Sequence, residues 1–321
     1  MANPLDDPLY YLHNFRQVLL WLGQRYADLL DPDEQHFIQH FDSLPQASQA
    51  LLVRMVMRKG MHFRASKLNY VEVGCTHAAT APLVQLGWVD EHSPLTFETL
   101  FALLQKGEVL AVFKPWIEQP KANKADWLEA LAAQFTELRS FTQWCPHTTD
   151  TLYSLTVMDL CDRLRLMFFG NLHQGWSEFV LADLGVFQYE TVPFEPSSRA
   201  FQTREDVDRY LALHACRQAL DDGLDVDALL QAVADCASGN AWLEKRRAKV
   251  LLRLGQACER AQDWAAAQRV YTLCAYPGAR HRRIRVYERM ARFDEALALA
   301  LQAEARPESE EEAQRLARML P

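Results

Sequence analysis

Residues 52–70 read LVRMVMRKGMHFRASKLNY. The stretch divides at Gly60. Ser48 to Lys59 reads as a helix that ends where a glycine can cap it, and His62 to Lys67 reads as a short strand. Upstream, Tyr10 to Leu30 carries Leu12, Phe15, Leu19, Leu22 and Tyr26 at the three- and four-residue steps of an amphipathic helix. Asp31-Pro32 opens a second helix with Phe37, Ile38 and Phe41 inward. Downstream, Thr76 to Leu86 reads as a helix, followed by Gly87 and a turn at Trp88-Val89-Asp90. Helix, short strand, helix and turn outline a winged-helix-like unit over residues 1–95.

The same stretch concentrates charge. It carries Arg54, Arg58, Lys59, Arg64 and Lys67, and no Asp or Glu occurs from Ser43 through Val71, in a chain of formal net charge -8. Positive charge gathered in one place of an acidic chain points to a phosphate backbone as partner. Arg54 and Arg58 share a helix face at a four-residue step. Tyr10, Tyr11 and Tyr70 flank the cluster. A tyrosine beside a phosphate track can donate its hydroxyl or stack on an end base; the alternative use of the same residue is as a core anchor.

Residues 96–150 read as a SAP-like module. Helices at Phe97 to Gln105 and Lys124 to Gln134 flank KPWIEQPKAN, where Lys114, Lys121 and Lys124 surround two prolines. Within residues 151–200, LRLMFFGN (164–171) and SEFVLADLGVFQYETV (177–192) read as the arms of a β-hairpin, from their aromatic and β-branched residues and the turn residues between them. Residues 201–321 read as helices with an internal repeat. ERAQDWAAAQRVYTLC starts at Glu259 and ERMARFDEALALALQA at Glu288, an offset of 29 residues, which aligns Trp264 with Phe293 and Ala267 with Ala296. Helical hairpins of this kind stack into a tetratricopeptide-like α-solenoid. Glu308 and Glu310 to Glu312 form an acidic run on a short, exposed helix. The expected fold class is therefore mainly α and multi-domain.

Two further basic clusters fall in the last third. The first holds Lys245, Arg246, Arg247, Lys249 and Arg253, with Arg246, Lys249 and Arg253 on one helix side. The second holds Arg280, His281, Arg282, Arg283, Arg285 and Arg289. A single such cluster is ordinarily a solvated face balanced by nearby acids, but these clusters enclose only Glu288. Only eight of the 34 basic residues are lysine, and arginine can fork onto phosphate oxygens.

Composition and motifs narrow the classes. A length of 321 residues suggests two or three domains, and 49% hydrophobic with 24% charged residues is ordinary for a globular chain. Seven irregularly spaced cysteines without Cys-x-x-Cys give neither a disulfide framework nor a zinc cage. The acidic N-terminus lacks a signal-peptide core, and no apolar run approaches the roughly 20 residues of a membrane span. His36 and His40 have metal-ligand spacing but no third ligand nearby, and Cys145-Pro-His147 is equally unsupported. Gly-x-Ser-x-Gly, phosphate-cradling and dinucleotide motifs are missing. A restriction-type nuclease centre needs an acid two residues before a lysine, and none of the eight lysines has one.

LYYLHNFRQVLLWL, followed by DEQHFIQHFDSLPQASQALLVRMVMRKGMHFRASKLNYVEV, closely resembles the N-terminal region of the Fanconi-associated nuclease family. The likeness continues through FQTREDVDRYLALHA into YERMARFDEAL and covers essentially all 321 residues. That family runs from a DNA-binding N-terminal region through a SAP module and helical repeats to a C-terminal nuclease domain of the virus-type replication-repair class. The resemblance implies a structure-specific nuclease that cuts near 5′ flaps, trims 5′ to 3′ and acts in interstrand cross-link repair. It implies that Tyr11, Arg58, Lys59 and Tyr70 meet DNA, and that the stretch Arg280 to Arg285 lies near a 5′ phosphate, with His281 and Arg282 both open. The metal-binding domain, with its Mn2+ or Mg2+, and the zinc finger of animal members have no counterpart in the residues given. The expected partners are branched or nicked duplex DNA and a C-terminal nuclease domain, without a membrane, in the cytoplasm with the nucleoid or in a nucleus. A protein-binding helical scaffold and a winged-helix transcription regulator stand as alternatives.

Overall fold

Asp31 shows how the sequence sets the helices. Its side chain accepts from the Glu34 amide while Glu34 accepts from the Asp31 amide, and Pro32 occupies the first turn, so the second helix starts where it must. The computed structural model describes residues 7–178, 195–221 and 225–319, in two compact units, Met1–Pro196 and Ser197–Pro321. The expected mainly helical architecture is found.

The first unit begins with α1 (Tyr10–Arg25), α2 (Pro32–Phe41) and α3 (Gln46–Val56), followed by β1 (His62–Arg64), α4 (Thr76–Gln85) and β2 (Val89–Asp90). Phe15, Phe37 and Phe41 are fully buried, with Phe15 and Phe41 5.2 Å apart and Phe37 4.5 Å from Trp88. Four short helices come next: α5 (Phe97–Leu103), α6 (Lys106–Phe113), α7 (Lys124–Leu131) and α8 (Phe141–Trp144). Then β3 (Leu152–Leu155) returns to the first helices. It pairs antiparallel with both β1 and β2, in the order β1-β3-β2, with Phe63 opposite Tyr153 and Val89 opposite Leu155. The four helices are thus inserted between two strands of one sheet, around a core of their own that includes Phe97, Phe101, Phe113 and Trp144.

Two expectations are corrected in this region. Of residues 164–171, read as a hairpin arm, 164–169 belong to α9 (Met158–Phe169), which ends on the left-handed Gly170 at φ 67°. Its buried Leu160, Cys161, Leu164 and Met167 follow helical spacing, and LRLM contains helix formers and no β-branched residue. Trp88-Val89-Asp90, read as a turn, contributes the strand β2. The other proposed arm, 177–192, lies almost wholly outside the described residues.

The second unit consists of α10 (Arg204–Asp221), α11 (Val226–Asp235), α12 (Ala241–Arg260), α13 (Trp264–Thr272), α14 (Ala279–Arg289), α15 (Phe293–Ala305) and α16 (Glu310–Met319). The repeat is visible in the backbone. Gln262 and Ala291, 29 residues apart, both adopt positive φ (60° and 55°) in the turn before the aligned aromatic. Ala267 and Ala296 are buried at equivalent places. Gly255 lets α12 approach α13 closely, since a Cβ there would stand 2.4 Å from the Tyr271 ring. Phe293 departs from the pattern, being 65% exposed. The acidic run of α16 is not wholly exposed either, because Glu312 is 5% exposed.

Candidate nucleic-acid interface

The first basic cluster separates into an outer and an inner set. Arg58, Lys59 and Lys67 are exposed, with Tyr70 half-buried beside them. Arg58 Nη1 donates to the Lys67 carbonyl at 3.2 Å and to Tyr70 Oη at 3.4 Å, which joins the end of α3 to the loop after β1. Arg54 points inward instead. Its guanidinium lies 3.9 Å from the Tyr11 ring centroid and 5.0 Å from that of Tyr70, and donates to Glu72 at 2.6 and 3.0 Å. Tyr11, 1% exposed, donates its hydroxyl to the same carboxylate at 3.0 Å. Of the two uses left open for Tyr11, its burial is that of a core anchor. Burial works against the Glu72 carboxylate, yet its backbone hydrogen bond and the bonds from Arg54 and Tyr11 outweigh that and hold its pKa low.

Arg64 is also inward. Its side chain is 11% exposed and is held by Glu108 and Asp150, each at 2.7 Å, so it ties β1 to α6 and to the residues before β3. Lys124 donates to the Leu104 carbonyl at 2.7 Å and staples α7 to α5, whereas Lys121 is exposed.

In the second unit, Lys245 and Lys249 are exposed and Arg253 is half-buried. Arg246 is packed against two aromatic rings, 4.5 Å from Tyr210 and 4.3 Å from Trp242. Of the third cluster, Arg280 bonds Glu312 at 3.0 Å, Arg282 pairs with Glu259 at 3.1 Å and Arg283 donates to Tyr287 at 3.0 Å. His281 is half-buried, its Nδ1 enclosed without a hydrogen-bond partner among the described residues. Burial, Arg315 and Arg285 push its pKa down. Arg285 is exposed.

The structure adds one arginine, Arg260, to the third cluster. Arg260, Arg282, Arg285 and Arg289 line a cleft of about 500 Å³ with Glu259 and Trp264. Arg260 and Arg289 are the arginines of the repeated Glu-Arg pair, so the repeat alignment was the available signal. Among the described residues, no group of three or more His, Cys, Asp or Glu could hold a metal. His36 and His40 instead stack their rings at 3.7 Å, and burial pushes the Cys145 thiol up to about 11. No described helix is long and apolar enough to cross a membrane.

An outward cationic row on helices α1–α4 and a three-stranded sheet is the arrangement of a helix-turn-helix class of nucleic-acid-binding module. Residues 9–90 match the family model "FAN1, HTH domain", and residues 94–144 match "Fanconi anemia-associated nuclease SAP domain". The chain thus carries the helix-turn-helix and SAP domains of the Fanconi-associated nuclease family. It is 51% identical, over 99% of its length, to the Fanconi-associated nuclease 1 homolog of Pseudomonas aeruginosa. It is 26% identical over 67% of its length to the homolog of Arabidopsis thaliana, 25% of which it covers. The crystal structure of paFAN1 bound to 2-nt 5′-flap DNA with gap superposes with a TM-score of 0.94 at 51% identity over 98% of this chain. The chain spans 57% of the Pseudomonas protein and 58% of the crystallised one.

Proposed function

We propose that this chain is the DNA-recognition part of a structure-specific repair nuclease, a 5′-flap endonuclease and 5′-to-3′ exonuclease of interstrand cross-link repair. It would hold branched or nicked duplex by phosphate contacts and present the junction to a C-terminal nuclease domain carrying Mn2+ or Mg2+, in the nucleoid of a bacterial cell. The observation that carries this reading is the row Arg58, Lys59 and Lys67 beside Tyr70, exposed and without a carboxylate partner among the described residues. The solved relative's 5′-flap DNA supports the choice of ligand.

In this reading residues 1–95 and the SAP-like 96–150 hold one duplex arm, the latter through Lys121. The tetratricopeptide-like helices of 201–321 hold the other through Lys245, Lys249, Arg253 and Arg285, with His281 or Arg282 nearest a 5′ phosphate. Tyr11, Arg54, Arg64, Lys124, Arg246, Arg280 and Arg283 act behind these as supports.

The test is an anisotropy salt titration of a 5′-flap duplex, a plain duplex and a single strand. The expected result is tightest binding of the flap, a steep salt dependence and weaker binding by the Arg58→Ala/Lys59→Ala double variant. Unchanged affinity of that variant would remove the row from the interface. Equal, weak binding of all three DNAs would favour a protein-binding scaffold.

A further inference from the structure

We propose that the aromatic cavity of the four-helix insert receives an unstacked nucleobase from a single strand; the proposal rests on the DNA-binding reading above. The cavity measures about 1060 Å³ and is lined by Phe113, Trp116, Phe135 and Trp144, with Lys114 and Arg139 among its polar residues. Phe113 and Trp144 are buried and form its floor, whereas Trp116 is 48% exposed. Trp116 and Phe135 meet edge to face, at 80° and 5.4 Å, so the two rings bound a corner and do not close it by stacking on each other. Phe97 stacks on Phe135 at 18° and 5.0 Å, and Phe113 and Trp144 meet that ring edge to face at 5.3 and 5.9 Å. Phe135 stays half-buried where it lines the cavity. Any base presents a π face to such a corner, so the contact tolerates sequence.

The charges favour a strand over an aromatic peptide. Lys114 is exposed and has no partner among the described residues. Arg139 lies over Trp144 at 5.0 Å and, among the described residues, its one ion pair is with the exposed Glu137, a bond a phosphate can replace at little cost. The one carboxylate lining the cavity, Glu108, is already bound by Arg64. The cavity also shares Arg64, Glu108, His147 and Thr148 with a neighbouring polar cleft that reaches Asn69 and Gly74, the loop of Tyr70. The two clefts therefore adjoin, and the polar one is lined by Ser66 and Asn69, which flank Lys67 in the sequence.

The experiment uses the whole 321-residue chain with nicked duplexes bearing no flap, a flap of a few thymidines, or the same flap made abasic. Trp116→Leu is the variant, its exposure making it compatible with folding, which circular dichroism checks. The expected result is a margin of about tenfold for the thymidine flap over no flap, from one base stacked on aromatic rings. The abasic flap and the variant should both lose that margin, while affinity for the unflapped duplex stays unchanged. A margin absent from the native chain, kept by the variant or kept by the abasic flap overturns the base site, and duplex binding still stands. A tryptophan-containing peptide bound at Trp116 that leaves the flap margin undiminished while it occupies the cavity overturns the base site and assigns the cavity to protein. Failure to bind any of the DNAs overturns the DNA reading itself.

Discussion

Arg54 and Arg58 lie four residues apart, Arg54 inside α3 and Arg58 just beyond its end, and their surroundings differ. Arg54 is enclosed by two tyrosine rings and its charge is taken by Glu72, whose side chain is only 9% exposed. Removing it leaves a nearly buried carboxylate with only its backbone hydrogen bond and Tyr11. Arg54→Ala should therefore cost about 2–4 kcal/mol in urea unfolding. Arg58→Ala should stay within about 0.5 kcal/mol of the native chain and yet weaken DNA binding. Equal stability of the two variants would show that the Glu72 clamp is not what fixes the loop.

At the scale of elements, Arg64 joins pieces that are distant in sequence, its acceptors lying 44 and 86 residues away. The bond from Arg64 holds the Glu108 pKa low; for Asp150, bonds from Ser66 and Arg64 outweigh burial to the same end. A carboxylate with a lowered folded pKa contributes stability that is present above its unfolded value, about 4, and is lost as pH falls through the folded value. The first unit should therefore lose denaturant resistance below about pH 4. Glu108→Gln with Asp150→Asn should flatten that slope; an unchanged slope would place the acid sensitivity elsewhere. The same distances explain what the sequence could and could not disclose. Amphipathic spacing and the 29-residue repeat are local and readable; Gly60 does turn the chain at φ 86°, but α3 already ends at Val56 with Met57 as its cap. By contrast, β3 is buried at all four positions and pairs across some 90 residues, so it shows neither alternation nor a nearby partner. LRLMFF misled because its two phenylalanines were weighed as β formers, against the helix propensity of Leu and Met. The charge runs misled similarly: the acids that occupy Arg54, Arg64, Arg280 and Arg282 stand 18 to 86 residues away, outside any window in which the clusters looked pure. The aromatic cavity needed the insert to fold before Trp116 and Trp144 could share a wall.

For the molecule as a whole, the question is whether both units hold the same DNA. Counterion release counts phosphates wherever they are neutralised, each contributing roughly 0.9 to the slope of log K against log salt on duplex. Arg58 and Lys59 in the first unit and Lys245 and Lys249 in the second are exposed, so removing either pair should perturb stability little. If each pair meets two phosphates of one DNA, each double variant should lose about 1.8 from the slope, and the quadruple variant about 3.6. Losses that add in this way would establish one ligand spanning both units. A quadruple variant no flatter than Arg58→Ala/Lys59→Ala would confine the grip to the first unit, and Lys245 and Lys249 would then be solvating residues. Restricting the comparison to a long plain duplex and repeating it on the 5′ flap separates this from junction preference, because phosphate counting is indifferent to shape. A slope shared by the two DNAs with a higher intercept for the flap would place the selectivity in geometry, not in charge.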